Sequence, residues 1–69
     1  MKPERLKYWA DIFDYKALEY ELAAKGVYKD EAFVRDAGRD FVEQIAKEFG
    51  QKAERAGKVA AKLRLRISN

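Results

Sequence analysis

One row of apolar residues keeps the spacing of an α-helix across the whole second half of the chain. Such spacing places side chains on one side of a helix with about 3.6 residues per turn. The row would lose its phase if a turn interrupted it, so it favours one long helix. Its members recur at steps of three, four or seven: Val34, Phe41, Ile45, Phe49, Ala53, Ala56, Ala60, Leu63 and Ile67.

The first half of the chain carries the start and stop signals of another helix. Residues 4–25 contain no Gly and no Pro, and Pro3 suits the first turn of a helix. Gly26 is placed where a left-handed C-terminal cap is expected. Asp30 is a suitable N-cap for the next helix. We therefore predict helix 1 over about 4–25, a loop at 26–29, and helix 2 from about 31.

The sequence allows two alternatives for the extent of helix 2. In the first, helix 2 covers about 31–49 and then continues, straight or kinked, to about 65. Alternatively, Gly50 or Gly57 breaks it, and residues 51–65 fold back as a third helix. Gly38 lies in the apolar row, where it either permits close packing or costs about 1 kcal/mol relative to Ala. Residues 63–67 alternate as a strand would, but the sequence contains no second strand for them to pair with.

Helix 1 carries a second apolar row in addition to the one that faces helix 2. We call it the tyrosine stripe, and it consists of Tyr8, Ile12, Tyr15, Leu18 and Leu22. A hairpin of two helices needs only one apolar row on each helix, so the stripe implies a third helix or another chain.

The predicted helix lengths also favour association. A helix of ~22 residues spans ~33 Å and one of ~34 residues spans ~51 Å, so the longer one would lack cover at its end. The predicted fold class is thus all-α. It is a single-domain helical hairpin (1–69) that dimerises into a four-helix bundle, with a monomeric three-helix bundle as the alternative.

The composition argues against an enzyme. The chain of 69 residues has no Cys and no His, and Ser68 is its single Ser or Thr. No nucleophile–base pair and no thiolate or imidazole metal site can be built from it. Asp36, Asp40 and Glu43 share a helix face, but pairing with neighbouring cations explains them better than a metal site does. We expect no catalytic residue, metal, cofactor or small-molecule substrate.

Hydropathy and the N-terminal sequence bear on localisation. No apolar run approaches the ~20 residues that a membrane-spanning helix needs. The N-terminal residues are charged and lack the apolar core of a signal peptide. We therefore expect a cytoplasmic protein.

Positive charge is concentrated at the C-terminus. Residues 1–50 carry nine Lys or Arg and eleven Asp or Glu, whereas residues 51–69 carry six Lys or Arg and one Glu. An amphipathic helix with cations on one flank can contact a phosphate backbone. The first functional hypothesis is therefore a nucleic-acid-binding protein, for DNA or RNA. The predicted contact residues are Lys52, Arg55, Lys58, Lys62, Arg64 and Arg66.

The alternative hypothesis is a protein-binding module. It would be an inhibitor, an adaptor or an assembly factor, as among phage- or plasmid-type accessory proteins. Tyr8, Ile12, Tyr15 and Leu22 would form the docking surface, since Tyr is enriched at protein interfaces. The basic segment would then contact an acidic protein surface.

Overall fold

Three α-helices form the chain. They are α1 (Pro3–Lys29), α2 (Glu31–Ala37) and α3 (Arg39–Ser68) in this computed structural model, which describes residues 2–68. No strand occurs within that range, so the all-α prediction is confirmed and residues 63–67 are helical. Met1 and Asn69, the last residue of the predicted basic segment, lie outside the described residues.

The two long helices pack against each other as an antiparallel hairpin. Arg64, near the end of α3, bonds to Asp11 near the start of α1. Further along, the rings of Tyr20 and Phe49 stack with centroids 6.3 Å apart. The short helix α2 contacts both long helices at the closed end. The result is a rod whose Cα atoms extend 49 × 14 × 13 Å.

The predicted difference in helix length is wrong. Helix α1 has 27 residues and α3 has 30, so they span about 40 and 45 Å and differ by less than one turn. Both ends of α3 therefore lie against α1 or α2. The length of α3 therefore leaves no uncovered end that would require a second chain.

The predicted turn at Gly26 is also wrong. Gly26 lies inside α1, which continues to Lys29, and its φ angle is not positive. A helical Gly costs about 1 kcal/mol relative to Ala, and the extra turn half-buries Val27 against the rest of the hairpin. The chain leaves α1 at Asp30, whose carboxylate accepts a hydrogen bond from the Phe33 N–H at 3.0 Å. The predicted N-cap role of Asp30 is thus confirmed.

Gly38 interrupts the helix that the sequence predicted to be continuous over about 31–49, so that prediction is wrong. It stands between α2 and α3 with φ +92° and ψ +144°, a conformation that residues with a side chain rarely adopt. Its N–H donates to the Val34 carbonyl at 3.0 Å, and its carbonyl accepts from the Val42 N–H at 3.1 Å. Gly38 therefore closes one helix and opens the next, a role that neither sequence interpretation assigned to it.

Gly50 and Gly57 do not interrupt α3. The predicted third helix over 51–65 therefore does not fold back, and the apolar row continues in phase through both positions. Ala53 and Ala56 lie between the two glycines, and both are buried. Packing of an apolar face commonly outweighs the propensity cost of a single Gly.

The core of the hairpin is small. Its buried residues are Leu6, Ala10, Val42, Ala53, Ala56 and Ala60. Among the described residues, Val42 is the one large side chain that is fully buried. Alanines at the centre of the contact let α1 and α3 approach closely, but they bury little apolar area for each residue. Much of the apolar surface of the chain therefore stays exposed.

Candidate nucleic-acid interface

Four cations predicted to contact phosphate lie on one flank of α3. We call Lys52, Arg55, Lys62 and Arg66 the basic row. They are spaced by three, seven and four residues, which places them along one side of the helix, and all four are exposed. Within residues 2–68, none of the four lies within 4.0 Å of a carboxylate oxygen. Their charges are therefore available to an external anion.

A groove between α1 and α3 adjoins the basic row. It has a volume of about 430 Å³ and an apolar floor that includes Phe13 and Val59. Lys52 and Arg55 line it from α3, and Lys16 lines it from α1. Lys16 thus adds a fifth positive charge to this side of the hairpin. Sequence reasoning missed Lys16, because its position relative to α3 depends on how the two helices align.

Aromatic rings hold one end of the basic row in place. The Lys52 ammonium lies 5.9 Å from the ring centre of Tyr20 and 5.8 Å from that of Phe49. A cation at this distance from a ring face is attracted by the electron-rich face, by about 0.5–1 kcal/mol at an exposed site. The contact restrains the Lys52 side chain and leaves its charge unneutralised.

Two other predicted contact residues are engaged within the hairpin. The Lys58 ammonium lies 3.3 Å from a Glu54 carboxylate oxygen, one turn away on the same helix. The Arg64 guanidinium lies 3.1 Å from Asp11 and 2.5 Å from Asp14, both on α1. The structure therefore does not bring Arg64 together with the basic row, which occupies the other flank of α3.

The pKa of Arg64 is raised above its ordinary value. The hydrogen bond to Asp14 is the largest cause, and the charge of Asp14 and the contacts with Asp11 act in the same direction, while desolvation opposes them. Two carboxylates therefore hold a guanidinium that stays charged at any physiological pH. These contacts link the C-terminal part of α3 to the N-terminal half of α1.

The tyrosine stripe lies on the side of α1 that faces away from α3. Leu6 and Ala10, on the opposite side, are buried against α3. Tyr15 is 63% exposed and Leu22 is 59% exposed, and Tyr8 and Leu18 are about half exposed. Ile12 is less accessible and lies at the base of a shallow groove between Tyr8 and Tyr15. The stripe and the basic row are therefore separate surfaces.

The acidic residues form surface ion pairs. Arg35 lies 3.9 Å from Asp36, and Arg39 lies 3.6 Å from Glu43. Residues 2–68 contain no group of three acidic side chains arranged to hold a metal ion. Over the same range, none of the helices is long and apolar enough to cross a membrane.

The surfaces of this hairpin are the basis for inferring its function. No protein-family model, curated protein or solved structure matches the chain. The two candidate surfaces are the basic row with its adjoining groove, and the tyrosine stripe on the far side of α1.

Proposed function

We propose that the protein binds nucleic acid through the basic row of α3. The observation that supports this most is the set of four exposed cations on one flank without a carboxylate partner among the described residues. Proteins that bind phosphate backbones gain affinity because each contact releases condensed counterions. We further propose that the protein is cytoplasmic and carries out no chemistry on its ligand.

The length of the basic row suits a nucleic-acid strand. From Lys52 to Arg66 the helix rises by about 21 Å, and one strand of a duplex presents a phosphate about every 3.4 Å along the axis. The row therefore faces about six phosphates with four cations. Lys16, across the groove, extends the positive surface toward α1.

The proposal is tested by measuring affinity for duplex and single-stranded DNA and RNA at 50 and 200 mM salt. For duplex DNA, four phosphate contacts predict a slope of about −3.6 in log K against log salt, or about a 150-fold weakening over this range. Changing all four members of the basic row to Gln should remove most of this slope.

A matched variant controls for net charge in this experiment. Lys7, Lys25, Lys29 and Lys47 are exposed and lie outside the basic row. Changing these four to Gln removes the same total charge, and we expect it to weaken binding far less. If both variants lose affinity equally, the binding is due to net charge alone and the proposed surface is wrong. An absence of binding at 50 mM salt would reject the function itself.

Single substitutions separate Arg64 from the basic row. Lys62→Gln should weaken nucleic-acid binding and reduce the salt slope by about one. Arg64→Gln should leave both nearly unchanged, because Asp11 and Asp14 already engage the Arg64 charge. The two variants have the same net charge, so equal losses in a titration would place Arg64 in the interface after all.

A protein-binding module is the second candidate function. The observation that favours it is the exposure of the tyrosine stripe on the far side of α1. Under this alternative, stripe substitutions abolish partner capture from a nuclease-treated lysate, and basic-row substitutions do so only if the partner surface is acidic.

A further inference from the structure

The tyrosine stripe has an internal symmetry centred on Tyr15. Ile12 and Leu18 lie three residues before and after it. Tyr8 and Leu22 lie seven residues before and after it. In an antiparallel helix pair with a two-fold axis through Tyr15, each residue faces the one at the opposite distance from the axis. The spacing of the stripe would therefore bring its apolar residues opposite one another. We propose that the stripe binds the same stripe of a second copy of this chain, with Tyr15 on the axis.

The surface of the stripe has the shape that this pairing needs. A shallow groove is lined by Tyr8, Asp11, Ile12, Tyr15 and Glu19, among others. Residues at such three- and four-residue intervals form the hole that receives a side chain from a facing helix. In the two-fold arrangement, Leu18 of the partner subunit lies opposite Ile12, and Leu22 of the partner subunit lies opposite Tyr8. Leucine is a common side chain in such holes.

The chain exposes enough surface beyond that of a compact monomer for one interface of standard size. The hairpin exposes 5583 Å², whereas a compact monomer of 8.0 kDa exposes about 4,450 Å². The excess is about 1,100 Å², and a stable interface of standard size takes about 800 Å² from each partner. A second copy would also supply the second layer that a stable domain of this kind normally has.

The charges at the stripe do not favour a nucleic-acid occupant. Asp11, Lys16 and Glu19 line the groove, and Asp11 is paired with Arg64, so the groove has no excess of positive charge to attract phosphate. The basic row lies on α3, away from the stripe, so a dimer would keep two basic rows accessible. The dimer is independent of the proposed nucleic-acid binding, because its interface uses no member of that row. It excludes the second candidate function, which needs the stripe to be free.

The mass in solution tests the proposal in the absence of nucleic acid. We expect sedimentation equilibrium at 100 µM to give a dimer for the native chain. Tyr15→Glu should give a monomer that keeps its helical circular dichroism, because two carboxylates would meet on the axis. Leu65→Glu is the control: Leu65 is 66% exposed, like Tyr15, but lies on α3. A monomeric native chain, or equal dissociation of both variants, would overturn the proposal.

Disulfide trapping tests the two-fold arrangement. The chain contains no Cys, so single-Cys variants carry only the introduced thiol. Tyr15→Cys should form a linked dimer on mild oxidation, because two copies of this residue meet at the axis. Leu22→Cys and Leu65→Cys should link far more slowly. If Leu22→Cys links as fast as Tyr15→Cys, the helices pair in parallel and the antiparallel interface is wrong.

Discussion

Ala60→Asp is expected to unfold the hairpin. The Ala60 side chain is fully buried where α3 packs against α1. An uncompensated buried charge costs on the order of 3–5 kcal/mol, and the core of a chain this short rarely supplies more than ~3–5 kcal/mol. We therefore expect far-UV circular dichroism at 25 °C to show loss of most helical signal.

Ala61→Asp is the matched control for this prediction. Ala61 is the next residue of α3 and is exposed, so the same substitution makes the same change in net charge and helix propensity without burying a carboxylate. Its effect should stay within about 0.5 kcal/mol. If both variants unfold, the loss stems from helix propensity or charge, and α1 does not pack at Ala60 as described.

Gly38→Ala is expected to destabilise the protein by about 1–3 kcal/mol. The cost arises from backbone strain, because Ala must adopt φ +92° and ψ +144° between α2 and α3. No atom lies within 4 Å of the added methyl group, so steric clash does not contribute. For a chain of this size we expect the thermal midpoint to fall by at least ~4 °C.

Gly57→Ala is the corresponding control and should have the opposite sign. Gly57 lies inside α3, and an added methyl group there also meets no atom within 4 Å. Replacing a helical Gly by Ala stabilises by about 0.5–1 kcal/mol. Destabilisation by Gly57→Ala, or stabilisation by Gly38→Ala, would mean that the break lies at Gly57 and not at Gly38.

Local sequence signals placed the end of helix 1 at the wrong residue. A Gly that follows an unbroken helical segment is typical of a C-cap, and Gly26 fits that pattern. The chain instead continues to Asp30 and uses its carboxylate as the cap of α2. A Gly inside a helix costs only about 1 kcal/mol relative to Ala. Packing against the other helix therefore decides at which Gly a helix is interrupted.

The sequence predicted only part of the candidate interface. The spacing of Lys52, Arg55, Lys58, Lys62 and Arg66 already placed them on one flank of a helix, although the structure pairs Lys58 with a glutamate. The predicted phosphate contacts also included Arg64, which the structure places in an ion pair with two aspartates of α1. Lys16 was missed for the same reason, since the charges that meet across two helices depend on their alignment.

The sequence by itself determined the helical class of the chain, the apolar row from Ile45 to Leu63, the two faces of α1 and the concentration of positive charge in α3. These follow from residue spacing and composition, which act within one helix. Before Ile45 the predicted row does not follow the buried face, because Phe41 is half exposed and Val42, which is not a member, is fully buried. Only the tertiary structure decided where the chain turns, that the long helices have nearly equal length, and which cations stay free of carboxylate partners. Those features depend on packing energies and on contacts between residues more than 50 positions apart, as for Arg64 and Asp11, and no local pattern encodes them.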